Sequence, residues 1–386
     1  MSMKAAGVNR GYINPNPEFW RGKRVFLTGH TGFKGGWLAL WLKQMGAVVH
    51  GFSLQPPTVP NLFTLANVES AVSHQIGDIR DAKVLQDAVQ GFKPDIILHL
   101  AAQPILRLSY DEPVETYAAN VMGTVHVLEA ARHTPSAQVT LIITTDKCYE
   151  NREQIWPYRE SDPMGGHDPY SSSKGCAELV VSSYGHSYFN KGQAVIASVR
   201  AGNVIGGGDW ARDRLMTDII AAVSRGQKPV IRNPGALRPW QHVLEPLSGY
   251  LRAVEVLWNK RPPHGEILGG SEAWNFGPEA ESEVCVGDVA NIVCELWGFK
   301  DGLELTPDAR RLHEATLLRL DSSKARIELG WTPRLSLRDA LSMTVEWYKA
   351  QQGGANMNAV TLGQIQDYLN RNTTQPSQQP RHLASA

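Results

Sequence analysis

The stretch LTGHTGFKGG, residues 27–36, carries glycines at 29, 32 and 35. An apolar run precedes it and a helical pattern follows, so it joins a first strand to a first helix. Glycines permit a tight turn there and let backbone N–H groups approach a pyrophosphate at the helix N-terminus. A glycine triplet alone also fits an ordinary turn, and this spacing differs from G-x-G-x-x-G. Its position after the first strand of an α/β series nevertheless predicts a dinucleotide-binding loop.

On both sides of this turn, short runs rich in Val and Ile alternate with longer amphipathic stretches. The strand-like runs are RVFLTG, AVVHGFS, DIILHLAA, QVTLIITT and AVIASVRAGNVI, and the helix-like segments lie near 35–46, 80–91, 114–133 and 168–190. Apolar runs without alternation, separated by helices, are typical of a parallel sheet that is covered on both faces. The sequence therefore predicts an α/β fold built on a Rossmann-like doubly wound parallel sheet.

The composition of the chain changes after about residue 206, where Gly, Pro and Trp become more frequent. We interpret this part as a smaller α/β C-terminal substrate-binding lobe that is interleaved with the sheet. The predicted boundaries are 20–205 for the Rossmann-like domain, with returning segments near 235–265 and 272–280, and 206–350 for most of the lobe. Residues 1–19 and 370–386 are predicted to be tails.

The composition favours a soluble cytoplasmic protein. Of the 386 residues 42% are apolar, and 38 Lys plus Arg balance 38 Asp plus Glu. This balance removes the usual argument for a nucleic-acid or membrane-surface partner. The N-terminus has no apolar signal-peptide region, and no apolar run approaches the ~18 residues of a membrane span. The 4 cysteines lack disulfide or metal spacing, which suits a reducing compartment and argues against a metalloprotein.

Two positions bear on which dinucleotide is bound. The end of the second strand, GFSL at 51–54, has no acidic residue for a ribose 2′-hydroxyl and no arginine for a 2′-phosphate. The missing arginine mildly favours NAD over NADP. Asp78, after the third strand, could meet the adenine amino group or could cap the helix over 81–91, and the sequence favours neither.

The segment DPYSSSKGCAEL, 168–179, opens a helix with Asp168 as a candidate cap and Pro169 at its first position. Tyr170 and Lys174 are four residues apart and share one face. Lowering a tyrosine pKa by ~3 units requires ~4 kcal/mol, which one ammonium about 4 Å away supplies at an effective dielectric near 20. The pair can thus form a phenolate base for an alcohol proton during hydride transfer. The alternative is an ordinary surface pair.

The strand run LIITTDKCYE, 141–150, ends in an acid beside a base, Asp146 and Lys147, after Thr145. The simplest interpretation is a salt bridge that decorates a strand end. The other is that the strand delivers a proton donor and a proton acceptor to the edge of the sheet where ligands bind.

Together these motifs resemble the extended short-chain dehydrogenase/reductase family, and within it the nucleotide-sugar 4,6-dehydratases. The resemblance covers roughly residues 20–350. It is carried by TGHTGFKGGWL, LAAQP, EPVETYAANVMGTVH, TTDKCYEN, GGHDPYSSSKG, RAGNVIGGGDW and RPWQHVLEPLSGYL. Together these motifs are specific, although each one separately is not.

The resemblance implies a reaction in three parts. Tyr170 takes the proton of the hydroxyl on sugar carbon 4 while a hydride passes to NAD, and Thr145 hydrogen-bonds the oxygen on carbon 4. Asp146 protonates the departing hydroxyl on carbon 6, and hydride then returns to carbon 6. Lys147 occupies the position of the carbon-5 base, where related TDP-sugar enzymes place a glutamate. Lys147 either acts as that base in its neutral form or stays charged and stabilises the enolate.

The resemblance also assigns binding residues and partners. The expected NAD contacts are Gly29, Thr31, Gly32, Phe33, Gly35, Asp78, Ile79, Ala101, Ala102, Tyr170 and Lys174. The expected substrate contacts are Gln103, Arg107, Asn203, Arg214, Arg238 and His313, and no metal is expected. Arginine forks suit a diphosphate, although each could form a structural salt bridge instead. CDP-glucose as substrate follows from the resemblance only, and so does a homodimer or homotetramer that pairs through helices 114–133 and 168–190.

Two rival functions are compatible with these motifs. A nucleotide-sugar 4-epimerase would use Tyr170, Lys174 and NAD, but it would not need the Asp146–Lys147 pair. A redox-silent NAD-binding regulatory protein would not need the Tyr–Lys pair either. Loss of one water from the sugar nucleotide separates a dehydratase from both.

Overall fold

The computed structural model describes residues 12–190, 194–261, 271–306 and 317–371. The strands are β1 (Arg24–Thr28), β2 (Val48–Ser53), β3 (Ser73–Ile76), β4 (Ile96–His99), β5 (Val139–Ile143), β6 (Val195–Ala201), β7 (Asn203–Ile205), β8 (Val230–Ile231), β9 (Leu237–His242), β10 (Glu272–Phe276), β11 (Glu283–Cys285) and β12 (Glu304–Leu305). The helices are α1 (Pro17–Trp20), α2 (Phe33–Gln44), α3 (Leu62–Leu65), α4 (Ala82–Phe92), α5 (Leu106–Asp111), α6 (Pro113–Tyr117), α7 (Gly123–Arg132), α8 (Pro169–Ser187), α9 (Leu215–Val223), α10 (Leu244–Lys260), α11 (Val286–Trp297), α12 (Ser323–Leu329), α13 (Leu337–Gln352) and α14 (Met357–Asn370).

Seven parallel strands form the main sheet in the order β10-β6-β5-β4-β1-β2-β3. The chain starts in the middle, runs to one edge through β3 and then crosses back to β4 on the other side of β1. In such a sheet the reversal opens a crevice at the carboxyl ends of β1 and β4, where ligands bind. The predicted fold class, a Rossmann-like doubly wound sheet, is confirmed.

The burial of the strands explains this layering. Every residue of β5 and β6 is buried, as expected for strands that are covered on both faces. One face packs on α2 and α10 with the C-terminal helices, and the other packs on α4, α7 and α8. The four predicted helical segments correspond to α2, α4, the α6–α7 region and α8 within a few residues. A π-helical segment, Ala118–Met122, joins α6 to α7.

The run AVIASVRAGNVI, predicted as one strand, is two strands in different sheets. The first part, β6, belongs to the main sheet, whereas β7 pairs with β9 in a separate sheet of order β11-β9-β7. Gly202 lies at the break. A Cβ atom on Gly202 would lie 2.9 Å from Pro239 Cγ and 3.2 Å from Asp146 Oδ2. The break therefore brings the backbone directly against the acid that follows β5.

The segments beyond residue 206 are interleaved with the sheet. Strand β10 returns to the main sheet beside β6, and α10 packs under the strands. At the N-terminus, Ile13 N donates to Gly330 O at 3.0 Å, and the hydroxyls of Tyr12 and Tyr368 lie 3.3 Å apart. Residues 262–265 of the predicted returning segment and residues 372–386 of the predicted C-terminal tail lie outside the described residues. The predicted division into a domain and a lobe stays a prediction.

Candidate active site

The Gly-rich loop is packed too tightly for side chains at two of its glycines. Gly29 has φ +80°, and a Cβ there would lie 2.7 Å from Ala101 N. A Cβ on Gly35 would overlap the carbonyl oxygen of Gly29. Thr31 fixes the loop to the end of β2, because its hydroxyl lies 2.8 Å from Ser53 Oγ and donates to Leu54 O at 2.9 Å. The loop is therefore held rigidly against the ends of β2 and β4.

The third glycine keeps space open. A Cβ on Gly32 would come no closer to the surrounding protein than 3.4 Å, at Gly29 O. Gly32 is the N-cap of α2. Among the described residues, no side chain forms a capping hydrogen bond at this helix end. The helix begins at Phe33, so its first N–H groups are available to an anion. These residues fit the pyrophosphate of a dinucleotide.

The residues that follow β3 rule out one of the two predictions for Asp78, the helix cap. The N-cap of α4 is Asp81, whose carboxylate accepts from Val84 N at 3.1 Å. Asp78 instead accepts from Arg80 N and from Arg80 Nε, both at 2.8 Å, and this pairing with Arg80 lowers its pKa. Ile79 is buried beside Gly123. The cap assignment of Asp78 is wrong, and its contact with an adenine stays a prediction.

The loop after β4 is anchored from several sides. Thr28 Oγ1 accepts from the backbone N–H of Ala101 at 3.1 Å, and Ala101 and Ala102 are half-buried beside the Gly-rich turn. The Gln103 side chain folds back on its own loop, because Nε2 donates to Thr116 Oγ1 at 2.9 Å and Oε1 accepts from Ile105 N at 2.5 Å. The predicted substrate contact of Gln103 stays a prediction, and these bonds give it a structural role.

Asp146 and Lys147 lie at the carboxyl end of β5, as the sequence predicts. Asp146 is 1% exposed, and its Oδ1 accepts from Thr145 Oγ1 at 2.9 Å. Its Oδ2 is buried and has no hydrogen-bond partner among the described residues. Lys147 Nζ lies 3.7 Å from Asp146 Oδ1, and its side chain is 21% exposed. This contact is too long for a good hydrogen bond, so the two groups are neighbours that are only loosely paired.

Tyr170 and Lys174 occupy one buried face of α8. Asp168 caps this helix by accepting from Ser171 N at 2.9 Å, with Pro169 at the first position as predicted. Thr145 lies near the phenol of Tyr170 and lowers its pKa. Lys174 Nζ donates to Ile143 O at 3.4 Å, at the end of β5. The helix therefore brings the phenol and the ammonium to the same strand end as Asp146.

The ionisation of Tyr170 differs from the sequence-based expectation. Burial raises the pKa of Tyr170 to about 12, although the Arg214 charge and the nearby Thr145 both lower it. Burial also lowers the pKa of Lys174 to about 8, with Glu178 opposing that shift. A neighbouring ammonium is thus insufficient by itself, because the phenolate loses more hydration on burial than the local charge returns. In the chain alone Tyr170 is a neutral phenol.

Sequence reasoning missed two residues beside this cluster. Lys34, in the first turn of α2, donates to the Tyr250 hydroxyl on α10 at 3.5 Å. Burial lowers the pKa of Lys34 to about 8, and the charges of Arg214 and Lys174 act in the same direction. The only signal in the sequence is a lysine inside a Gly-rich phosphate loop, because the meeting with Tyr250 joins residues 216 positions apart.

The predicted phosphate-binding arginines fall into two groups. Arg214 donates to Pro104 O at 3.1 Å, and Arg107 Nε lies 3.9 Å from Asp213 Oδ1. Arg238 is buried on β9, where the register places Trp240 opposite Asn203. His313 lies outside the described residues. The structure thus groups Arg107 with Arg214, and Arg238 with Asn203, and their roles stay predictions.

A phenol and an ammonium one helical turn apart, facing the first turn of a doubly wound sheet, are the arrangement of the extended short-chain dehydrogenase/reductases, and the protein is of this class. The family model described as GDP-mannose 4,6 dehydratase matches residues 26–344. The chain therefore belongs to this family, the nucleotide-sugar 4,6-dehydratases, which are hydro-lyases. The family and enzyme class expected from the sequence are confirmed.

Individual relatives agree with this assignment. A CDP-glucose 4,6-dehydratase of Salmonella typhimurium is 49% identical over 92% of this chain and 99% of its own length. A dTDP-glucose 4,6-dehydratase of Xanthomonas campestris pv. campestris is 27% identical, covering 84% of this chain and 93% of its own.

Solved structures share the fold. A Thermotoga maritima UDP-glucose 4-epimerase with UDP-glucose matches with TM-score 0.73 and 21% identity, over 85% of this chain and 99% of that one. A Bacillus anthracis dTDP-glucose 4,6-dehydratase in complex with NAD matches with TM-score 0.70 and 21% identity, over 87% and 100%. Within the described ranges, no helix is both long and apolar enough to cross a membrane, and no group of three or more His, Cys, Asp or Glu side chains could hold a metal.

Proposed function

We propose that this protein converts CDP-glucose to CDP-4-keto-6-deoxyglucose and water. The observation that carries the proposal is the grouping of an acid, a base and a phenol, Asp146, Lys147 and Tyr170, beside Thr145 at the carboxyl end of β5. Oxidation at one carbon requires only the phenol. An additional acid and base beside it are what removal of water from the neighbouring carbons requires. The 49% identity to the Salmonella CDP-glucose 4,6-dehydratase supports the choice of nucleotide.

NAD is the cofactor in this proposal. Gly29, Gly32 and Gly35, with the first N–H groups of α2, hold its pyrophosphate, and Thr31 keeps that loop in place. When bound there, NAD would supply a reversible hydride acceptor, used at sugar carbon 4 and restored at carbon 6, so it would not be consumed. Two relatives of the same fold were solved with NAD, the Bacillus anthracis dehydratase and the MoeE5 protein with UDP-glucose.

Tyr170 removes the proton from the hydroxyl on carbon 4, and Thr145 hydrogen-bonds the same oxygen. Lys174 follows Tyr170 by one helical turn, and its pKa of about 8 leaves it largely charged at neutral pH. The Arg214 guanidinium favours the phenolate, against the burial that raises the pKa of Tyr170 to about 12. In this proposal the Lys174 ammonium adds to that effect when the substrate is bound. A positive charge on a bound nicotinamide ring would act in the same direction.

Asp146 and Lys147 carry out the elimination. The ketone at carbon 4 acidifies the hydrogen on carbon 5, which Lys147 removes as a proton. Asp146 protonates the hydroxyl on carbon 6, which leaves as water; its Oδ2 has no hydrogen-bond partner among the described residues. Lys147 then returns a proton to carbon 5 when carbon 6 receives the hydride. Arg107, Arg214 and Arg238 bind the diphosphate, and Gln103, Asn203 and His313 contact the nucleotide sugar.

The direct test is incubation of the purified protein with CDP-, GDP-, TDP- and UDP-hexoses, with product mass and keto-sugar formation as readouts. The proposal expects a 4-keto-6-deoxy product, lighter by one water, from CDP-glucose and much less from the others. A product of unchanged mass would make the protein a 4-epimerase. No turnover of any sugar nucleotide, with NAD still bound, would favour a regulatory protein.

The proposal includes a homodimer or homotetramer. Large apolar side chains are exposed along the predicted pairing helices, with Val114 77%, Met122 47% and Leu179 60% exposed. These residues lie on or beside α6, α7 and α8, which contact each other and form one side of the molecule. Light scattering after gel filtration measures the mass, and a monomer would exclude this part of the proposal.

A further inference from the structure

A second group of charges lies where α5, the turn before α9 and the end of β8 meet. Arg107 is on α5, Asp213 is in the turn, and Arg232 directly follows β8. Both arginines approach the same carboxylate oxygen, because Arg232 Nη1 donates to Asp213 Oδ1 at 3.2 Å and Arg107 Nε lies 3.9 Å from it. One carboxylate therefore joins two arginines that come from distant parts of the chain.

This group of charges borders the candidate active site. The backbone N–H of Tyr170, at the start of α8, donates at 3.1 Å to the hydroxyl of Ser109, which is on the same helix as the first arginine. Arg214, the residue after the aspartate, donates to the carbonyl oxygen of Pro104 at 3.1 Å, in the loop after β4. The segments that carry these charges are thus in direct contact with the segments that hold the phenol.

We propose that the Asp213 carboxylate competes with the diphosphate of the nucleotide sugar for Arg107 and Arg232, and so limits how tightly the nucleotide is held. This inference rests on the proposed function and deepens it, because it adds Arg232 to the residues that bind the diphosphate and gives Asp213 a role opposed to theirs. A carboxylate and a phosphate present similar oxygen acceptors to a guanidinium group. The diphosphate carries more charge and more acceptors, so it can replace the carboxylate at both arginines.

The two observed ion pairs are of a kind that exchanges easily. The contact between Arg107 Nε and the carboxylate is too long for a good hydrogen bond. The side chains are 18% exposed for Arg107, 35% for Asp213 and 41% for Arg232. Partly exposed pairs with such geometry contribute little to stability. A diphosphate that displaces the carboxylate therefore gives up little of the energy of the fold.

The local charge also favours an anion. Three guanidinium groups, those of Arg107, Arg214 and Arg232, lie in or beside this turn. They are balanced by two carboxylates, that of Asp213 and that of Asp218, whose Oδ2 lies 3.9 Å from Arg232 Nη2. One positive charge remains. A bound diphosphate would neutralise it, and removal of either carboxylate would strengthen the attraction.

Asp213→Asn removes the competing charge and keeps the shape of the side chain. The position has φ +59°, in the left-handed region that asparagine adopts more readily than most residues. Isothermal titration calorimetry of the purified protein with NAD added measures the binding of CDP, which carries the diphosphate and has no sugar to react. We expect Asp213→Asn to bind CDP ~5-fold more tightly than the parent protein. Cytidine, which has no phosphate, should bind equally to both and serves as the check that the variant is folded.

Arg232→Gln is the complementary variant and should lose ~10-fold in affinity for CDP, because a charge-assisted hydrogen bond to phosphate is removed. In that background the gain from Asp213→Asn should shrink, since one of the two shared arginines is gone. Glu295→Gln is the control for net charge. It also removes one carboxylate from an ion pair, the one with Arg338 on α13, and its affinity for CDP should equal that of the parent.

Asp213→Gly removes the carboxylate in a second way, because glycine accepts this φ without strain, and it should also tighten CDP binding. Weaker or unchanged CDP binding in both Asp213 variants would overturn the inference and make Asp213 a residue that positions the arginines for the substrate. CDP affinity that is unchanged in Arg232→Gln would overturn it as well. A parent protein that binds CDP no better than cytidine would instead contradict the proposed function itself.

Discussion

Two acid–base pairs are joined to neighbouring threonines, Thr144 and Thr145, and their surroundings differ. Glu178 Oε2 accepts from Arg200 Nη2 and from Ser198 Oγ, both at 2.7 Å, and Glu178 Oε1 accepts from the Thr144 hydroxyl. Both side chains of this pair are 4% exposed. The Asp146–Lys147 pair has a 3.7 Å contact and an unpartnered carboxylate oxygen. Thr144 hydrogen-bonds Glu178, and the next residue, Thr145, hydrogen-bonds Asp146.

The difference indicates which pair is structural. Burial alone would raise the pKa of Glu178, but the Arg200 charge and hydrogen bonds from Arg200, Thr144 and Ser198 bring it below its ordinary value. Such a carboxylate stays charged and fixed. Asp146 instead keeps one carboxylate oxygen, Oδ2, without a hydrogen-bond partner among the described residues. The salt-bridge interpretation of a strand-end pair therefore describes Glu178–Arg200 better than Asp146–Lys147.

The largest expected effect comes from Asp146→Asn. The amide cannot donate a proton to the hydroxyl that leaves carbon 6, so we expect elimination to slow by ~10³-fold. Stability to urea should change little, because the substituted oxygen has no partner in the described residues. Oxidation at carbon 4 should persist and is measured as reduced nicotinamide with CDP-6-deoxyglucose, which cannot eliminate. Elimination at the normal rate in Asp146→Asn would assign the acid elsewhere.

Glu178→Gln should have the opposite profile. It leaves the Arg200 guanidinium buried without its counter-charge, which destabilises a fold by ~3 kcal/mol. The measurement is the free energy of unfolding in urea. Glu295→Gln is the matched control, since Glu295 pairs with Arg338 at 2.6 Å but both side chains are more than half exposed, so its free energy of unfolding should stay close to that of the parent protein. Equal costs for the two variants would show that the buried pair is not structural.

Much of the fold was predictable because buried parallel strands have a characteristic local sequence pattern. Buried strands need continuous apolar runs, and the turn after β1 needs its glycines. No local pattern in the sequence indicated that β6 and β7 are separate strands. It depends on Gly202 packing against Pro239 and Asp146, which are distant in sequence. The sequence shows the glycine, but it does not show which residues pack against it.

The candidate site shows the same limit. Asp146 and Tyr170 were found because each lies in a local motif. Lys34 was missed because its partner, Tyr250, comes from another helix. The pKa of Tyr170 was placed too low, because a local argument counted the ammonium and not the burial imposed by the whole fold. Sequence spacing predicts which side chains share a helix face. How deeply those side chains are buried can be determined only from the tertiary structure.

Glu245 is a third buried acid, and it extends the comparison because the donors described below, which hydrogen-bond its carboxylate, are uncharged. Glu245 Oε1 accepts from the backbone N–H groups of Arg334 and Leu335 at 2.7 Å, and Oε2 accepts from the Tyr368 hydroxyl at 2.8 Å. Burial raises the pKa of Glu245 from 4.5 to about 7. The folded state then binds the proton more tightly than the unfolded state, so this group stabilises the fold less as pH rises from about 4.5 to 7.

Glu245→Gln should therefore reduce the loss of stability at higher pH. Between pH ~5 and ~8 the parent protein should lose about 2 kcal/mol of unfolding free energy that the variant keeps. Urea unfolding at the two pH values measures this difference. Glu346→Gln, at an exposed position on α13, should follow the parent. The same pH dependence in parent and Glu245→Gln would mean that Glu245 titrates alike in the folded and unfolded states.

The smallest expected effect is the stability change of Lys147→Ala. A pair at 3.7 Å with a partly exposed lysine resembles a surface ion pair, so its removal should cost less than ~1 kcal/mol.

The chemical effect of Lys147→Ala should be selective. Oxidation at carbon 4 should continue, because Tyr170 and Lys174 are untouched, whereas exchange of the carbon-5 hydrogen with deuterated solvent should stop. Exchange at an unchanged rate would give Lys147 the other role, an ammonium that stabilises the enolate while another group takes the proton. A stability loss as large as that of Glu178→Gln would instead make both pairs structural, and the contrast between a satisfied pair and an unsatisfied one would lose its meaning.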